Sequence, residues 1–168
     1  MITRLLQTQD AERMAHYYQS NRAHFKAWEP TRPSGFHSRR AWEARIQELT
    51  SQQSAAYFVT LQPENGNIIA HCTLSQISYG AFQACYMGFG VSACADGKGV
   101  MHNTCKEVIH YAFDALKLNR IMANYMPHNN RSAKLLHRLG FQKEGLAKNY
   151  LQIAGRWEHH VLTALIKS

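Results

Sequence analysis

Long apolar runs are missing from this sequence, and so are the cysteine spacings that build a metal site or a disulfide framework. No segment approaches the roughly 20 apolar residues needed to span a bilayer, and the opening Met1-Ile2-Thr3-Arg4 lacks the apolar run of a secretion signal. A cytoplasmic protein without membrane contact is therefore expected. The four cysteines, Cys72, Cys85, Cys94 and Cys105, stand too far apart for paired ligand motifs and read as reduced thiols in or near a core. Acidic residues are few, 11 against 19 lysines and arginines, which leaves a net charge of +8 with histidine neutral. Such a balance asks for an anionic partner. However, the basic residues are dispersed (Arg22, Lys26, Arg32, Arg39, Arg40, Lys98, Arg131, Lys134 and Arg138), and no interleaved aromatic and basic motif for single strands occurs. A phosphorylated cofactor, work near the ribosome, or solubility alone accounts for the charge as well as nucleic acid does.

Several chemistries lack their signatures. His102 stands where a dinucleotide fingerprint places its third glycine, and there is no Gly-Lys-Ser/Thr phosphate loop. The 10 histidines include no His-Glu-x-x-His, and His159-His160 in a strand point to opposite faces, so no metal is expected. No serine sits in a Gly-x-Ser-x-Gly elbow.

What is present is a globular composition, 45% apolar and 18% charged, in 168 residues. One domain, 1–168, is the natural size. Met1 to Leu6 reads as a short strand, and Ala11, Met14, Ala15 and Tyr18 repeat at helical spacing after Asp10. Trp28-Glu29-Pro30 and a turn-rich loop, Thr31 to His37, precede a helix from Ser38 with Trp42, Arg45, Ile46 and Leu49 on one side. An aromatic and an acid between two helices suit the wall of a substrate cleft. Strands follow at Ala55–Leu61 and Ile68–Ile77 around the hairpin signal Asn65-Gly66, then at Phe82–Val91, making an antiparallel meander beside the first strand.

The chain is organised around Phe82 to Leu116. There a strand runs through Ser92–Asp96 and Gly97-Lys98-Gly99 into a helix whose Val100, Met101, Thr104, Cys105, Val108, Ile109, Ala112, Phe113 and Leu116 share a face. Glycines at the mouth of a helix leave its first N–H groups open to an anion such as a pyrophosphate. Equally, they make a tight strand-to-helix turn. A strand from Arg120 to Met126 makes a right-handed crossover and a parallel pair, so the sheet is mixed. Asn129-Asn130-Arg131-Ser132 then opens a helix with Ser132, Leu135, Leu136 and Leu139 inward and Arg131, Lys134 and Arg138 outward, closed by Gly140. Strands Gln142–Ile153 and Trp157–Ile166 finish the chain around Ala154-Gly155-Arg156.

At this point the sequence resembles the GNAT superfamily of N-acetyltransferases. The superfamily loop, Gln/Arg-x-x-Gly-x-Gly/Ala, falls on Asp96 to Met101, and its second motif, Asn followed by a helix ending Gly-Phe, on Asn129 to Phe141. Trp28-Glu29-Pro30, the run from Arg120 to Asn129 and the ending His160-Val-Leu-Thr-Ala-Leu165 look most like the ribosomal-protein-alanine N-acetyltransferases. The resemblance implies an α/β (α+β) GNAT fold: a mixed, mostly antiparallel sheet of six to seven strands, about four flanking helices, and a splayed parallel pair holding acetyl-CoA. It further implies acetyl transfer to the N-terminal alanine of a ribosomal protein by direct attack in a ternary complex. Ribosome association and a monomer or weak homodimer go with that reading. A small amine or antibiotic as acceptor, and a non-catalytic RNA-binding module, are the alternatives.

By the same resemblance, Gly97, Lys98, Gly99 and Val100 hold the pyrophosphate with Arg131, while Asn129 bonds the pantetheine arm. Phe89, Gly90 and Val91 lie in the glycine-rich strand Gly88–Val91, where the superfamily carries a bulge whose amides meet the thioester oxygen. Ser132 is the hydroxyl near the departing thiol, because Leu136 replaces the superfamily's tyrosine. Asn149 replaces an acid used by relatives, so Glu29, directly or through water, and Tyr125 are the candidate bases. Asp96 stands where the superfamily prefers Gln or Arg; its carboxylate either points away from the pyrophosphate or caps the helix.

Overall fold

The computed structural model describes residues 1–168. Strand β1 (Ile2–Leu5) leads through a short 3-10 turn into α1 (Ala11–Ser20), α2 (Arg22–Phe25) and α3 (Arg39–Ser51). The ion pair of Arg4 with the buried Asp10, 2.6 Å, ties the strand to the start of α1. Ser38 caps α3 by accepting the Ala41 amide, which is why the helix begins there. A meander follows: β2 (Ala56–Leu61), β3 (Ile68–Ser78) and β4 (Ala84–Val91). Next come α4 (Val100–His110), extended by a π-turn over Tyr111–Ala115, and β5 (Arg120–Tyr125). Helix α5 (Asn130–Arg138) and the hairpin β6 (Gln142–Ile153) and β7 (Arg156–Ile166) complete the chain.

The seven strands form one sheet in the order β1-β2-β3-β4-β5-β7-β6. Only β4 and β5 run parallel, joined by the α4 crossover. Adjacent Phe58 and Val59 fall into different apolar clusters, as the period of two in a strand requires, so helices cover both faces. Val59 and Ile68 lie under α1 and α3 with Met14, Tyr17, Trp42 and Ile46. Phe58, Cys72, Leu74 and Ile121 lie under α4 and α5 with Cys105, Val108 and Leu136. Three cysteines are buried and Cys94 is exposed; all four are free thiols.

The architecture agrees with the α/β mixed-sheet expectation, with seven strands and a fifth, four-residue helix, α2, between the two foreseen near the N-terminus. Two local expectations change. The β4 ladder starts at Ala84, not Phe82, because Gly80 and Gln83 both take positive φ and turn Phe82 out to solvent. No register shift occurs at Gly88–Val91, where β3 and β4 pair residue for residue. The irregularity on this ladder lies in β3, between Ser75 and Ser78, where Gln76 has φ 50°. A second one, in β6, sets Lys148, Asn149 and Tyr150 opposite His159 alone, and the Asn149 amide donates to His159 Nδ1 at 2.9 Å. No helix is long and apolar enough to cross a membrane.

Candidate active site

The parallel pair is short. Register runs from Ala84–Arg120 to Tyr86–Met122 and then stops, while β5 stays paired with β7 up to Tyr125. Beyond Tyr86 the two strands part. The Ser92 amide donates to Ile69 O at 2.8 Å, and alternation back along β4 aims the backbone groups of Gly90 and Gly88 at β3. The amides and carbonyls of Phe89 and Val91 therefore face the open gap.

From that gap a cleft of about 440 Å³ runs between the β4–α4 loop and α5. Its walls include Phe89, Gly90 and Val91 on β4, Gly97, Gly99 and Met101 at the mouth of α4, and Asn129, Arg131, Ser132 and Leu135 on α5. Gly97 and Gly99 have φ of 73° and 78°, and a Cβ on either would meet nothing within 4 Å. Their backbone thus requires glycine, and the space beside them is open for a ligand. The first helical bond of α4 runs from Asn103 N to Gly99 O, so the amides of Val100, Met101 and His102 are left to an outside acceptor. No side chain caps this helix.

Asp96 accordingly does not cap α4. It turns across the cleft and forms an ion pair with Arg131. Arg131, Lys134 and Arg138, the face of α5 expected to point outward, line the cleft together with Ser132 and Leu135. Asn129 caps α5, its Oδ1 accepting the Ser132 amide at 3.1 Å. That leaves its Nδ2 as a free donor. Lys98 and Val100 do not line the cleft: Lys98 is exposed with its amide directed at Ala95 O, and Val100 is buried beneath α4.

His24, Phe25 and Trp28 close the far end. Glu29 lies just outside the cleft lining, half-buried, and its backbone carbonyl accepts the Ala154 amide from the β6–β7 turn at 3.1 Å. Burial pushes the Glu29 carboxyl up to about 7 in spite of the opposing charge of Arg32. Behind it stands a group of rings that no sequence motif announced. Tyr18 stacks on His37 at 3.7 Å and near Trp42 at 5.6 Å, and Tyr57 stacks on His71 at 5.6 Å. Tyr17 Oη lies 3.2 Å from His71 Nδ1. Burial holds His71 and His37 neutral, each pushed down to about 4, and drives the Tyr17, Tyr18 and Tyr57 phenols well up. His71 sits opposite Gly90, where an added Cβ would come within 2.5 Å of the ring. That contact gives Gly90 a reason to be glycine. Tyr125 is half-buried against the larger apolar cluster and does not line the cleft.

A glycine-bordered, cation-rimmed cleft opening onto splayed parallel strands suits a long ligand with a pyrophosphate at one end. Comparison with known proteins agrees. A model of the acetyltransferase (GNAT) domain matches residues 1–142. The [ribosomal protein uS5]-alanine N-acetyltransferase of Escherichia coli K12 is 45% identical over 168 residues, covering 98% of this chain and 87% of that protein. The probable N-acetyltransferase YjcK of Bacillus subtilis is 32% identical over 169 residues, covering 99% and 93%. Among solved structures, a ribosomal-protein-S5-alanine acetyltransferase from Vibrio fischeri superposes with a TM-score of 0.94 at 40% identity, covering 98% of this chain and 91% of that one. Mycobacterium smegmatis RimJ in complex with CoA-disulfide gives 0.90 at 26% identity, covering 98% and 80%. With its splayed strands, glycine loop and α5 motif in one cleft, the chain belongs to the GNAT family of N-acetyltransferases.

Proposed function

We propose that this enzyme moves the acetyl group of acetyl-CoA to the α-amino group of a protein N-terminus, with an alanine beginning a ribosomal protein as the acceptor. The observation that carries the reading is the parting of β4 from β5, which turns the free Phe89–Val91 edge toward a cleft rimmed by Arg131, Lys134 and Arg138. The acceptor assignment is supported by the relatives from Escherichia coli and Vibrio fischeri named for acetylating such an alanine. A net charge of +8 suits work beside ribosomal RNA.

When bound, acetyl-CoA supplies an activated thioester carbonyl. The protein's part is to position and polarise. In this reading the open amides of Phe89 and Val91 donate to carbonyl oxygens along the β4 edge, and Asn129 Nδ2 donates to the pantetheine arm. The amides at the mouth of α4 beside Gly97 and Gly99, with Arg131, neutralise phosphate. Ser132 in the cleft wall supplies a proton to the departing thiolate, and Glu29 takes one from the acceptor amine.

A magnitude favours an N-terminal amine over lysine. Glu29 at about 7 lies less than about one pH unit below an α-ammonium of about 7.7 to 8.0, but more than three below lysine at about 10.4, and each unit is a factor of ten against the proton transfer. Tyr125, turned into the larger apolar cluster, is the weaker candidate.

The test is incubation with acetyl-CoA and peptides beginning Ala-, Ser- or Met-, plus a peptide whose only amine is lysine, following CoA release. Turnover on the alanine peptide is expected. Turnover on lysine alone, on small amines alone, or on nothing overturns the reading. RNA binding with a steep salt slope and no response to acetyl-CoA would point instead to a binding module.

A further inference from the structure

Asp96 is the single acidic residue lining the cleft, set against Arg131, Lys134 and Arg138 on the opposite wall. Its partner choice is not a requirement of the local fold. The segment around it is already fixed by Ser92 N to Ile69 O, Ala93 N to Asn21 Oδ1, Ala95 N to Ser92 O and Lys98 N to Ala95 O. What the carboxylate adds is a bridge from the β4–α4 loop to α5, over 35 residues of chain, at the place where the sequence motif asks for a phosphate. The two partners differ in freedom. Asp96 is 25% exposed and held by its loop, whereas Arg131 is 77% exposed on a flexible stem.

We infer that Asp96 is a positioning residue that sets cofactor affinity: it holds Arg131 as a stand-in for the pyrophosphate, and the guanidinium is exchanged between carboxylate and phosphate as acetyl-CoA enters and CoA leaves. The inference rests on the acetyl-CoA reading above. Its chemistry is simple competition between anions for one cation, with no bond made or broken. Holding Arg131 beside Asp96 keeps the guanidinium at the cleft when no ligand is there. The same contact must be given up on binding, and the carboxylate then faces a phosphate of like charge. Both effects weaken binding and favour release of CoA.

The experiment is calorimetric titration of CoA and dephospho-CoA into the wild-type chain, Asp96→Asn, Arg131→Gln and the double variant, with melting temperatures beside them. An exposed ion pair and a screened like-charge contact are together worth about a three- to tenfold change. Asp96→Asn is expected to tighten both ligands by that factor, Asp96→Glu to restore wild-type affinity, and Asp96→Asn in the Arg131→Gln background to gain much less. In turnover assays the KM for acetyl-CoA falls in Asp96→Asn, while kcat holds where chemistry is limiting and falls where CoA release is limiting. Asp96→Ser serves if the Asn variant does not fold. Unchanged or weaker CoA binding at an unchanged melting temperature overturns the inference. So does a gain that keeps its full size without Arg131, or one confined to CoA and absent with dephospho-CoA, which would place the exchange at the 3′-phosphate. Wild-type protein that binds no CoA at all would sink the acetyl-transfer reading and this inference with it, whereas failure of Asp96→Asn alone leaves that reading standing.

Discussion

The two ends of the cleft are built from opposite materials. At the cofactor end, Gly97, Gly99, Asn129, Arg131, Lys134 and Arg138 come from two continuous stretches and meet solvent. Backbone amides and mobile cations do the work there. Behind the other end, outside the cleft lining, Tyr17, Tyr18, Glu29, His37, Trp42, Tyr57 and His71 come from α1, the loop before α3, α3 itself, β2 and β3. They interact through burial and ring packing, which holds Glu29, the two neutral histidines and the three tyrosine phenols away from their ordinary values. In the proposed reading, the contrast teaches that a ligand of high charge is met by exposed groups on the surface, while the proton of the acceptor amine is taken by a carboxyl that burial has pushed up to about 7.

Substituting Glu29 should have the largest effect. Glu29→Gln is expected to lower kcat/KM by about 10² to 10³ and to remove the rise in turnover through pH 7, leaving the KM for acetyl-CoA unchanged. The same change has a stability signature. A carboxyl whose folded value lies above its unfolded one binds more protons when folded, so its effect on stability is most favourable below the unfolded value near 4.5 and is lost as pH rises through about 7. Glu29→Gln should therefore be more stable than wild type at pH 8 by about 1 to 2 kcal/mol after allowance for solvent screening, and equal to it at pH 4, as read by chemical denaturation at both values. Loss of turnover with the pH limb intact would move the base elsewhere.

Gly90→Ala comes next, because it presses on the contact that joins the two ends. With a Cβ directed 2.5 Å from His71 Cε1, the ring or the strand must move, at a cost of about 1 to 3 kcal/mol, and turnover should drop about tenfold. Adding His71→Ala should recover part of the turnover by freeing the space; no recovery would show that strand β4 itself was disturbed.

At the cofactor end effects are smaller and fall on KM. Asn129→Ala removes the α5 cap, costing about 1 kcal/mol of stability, and the free Nδ2 donor, raising the KM for acetyl-CoA about fivefold while kcat at saturation holds. Lys98→Ala is expected to change that KM by less than about twofold, since the side chain is exposed outside the cleft lining. A larger loss at Lys98 would mean that the bound ligand reaches beyond the walls described for the cleft.

Much of the strand and helix pattern was legible because local rules dictate it. The hairpin of β2 and β3, the helical face from Val100 onward and the helix opening after Asn129 each depend on neighbours within a few residues. The departures are places where single backbone angles override pattern: Gln83 at φ 44° delays β4, Gln76 at 50° bends β3, and Asn149 at 47° bulges β6. No property of glutamine signals a positive φ, so those turns were invisible. The bulge at Asn149 swings Tyr150 so that its hydroxyl accepts from Asn124 Nδ2 at 3.3 Å, a contact between strands that are not neighbours in the sheet.

The sequence by itself determined the sheet's mixed character, the glycine mouth of α4 and the motif that opens α5, since all three rest on short-range spacing. Only the tertiary structure decided where Asp96 turns, which cations of α5 line the cleft, and that Glu29 is backed by rings from five segments. Those outcomes depend on burial and on the relative placement of distant elements, and a carboxyl's proton affinity follows from what surrounds it in space, not from what precedes it in the chain.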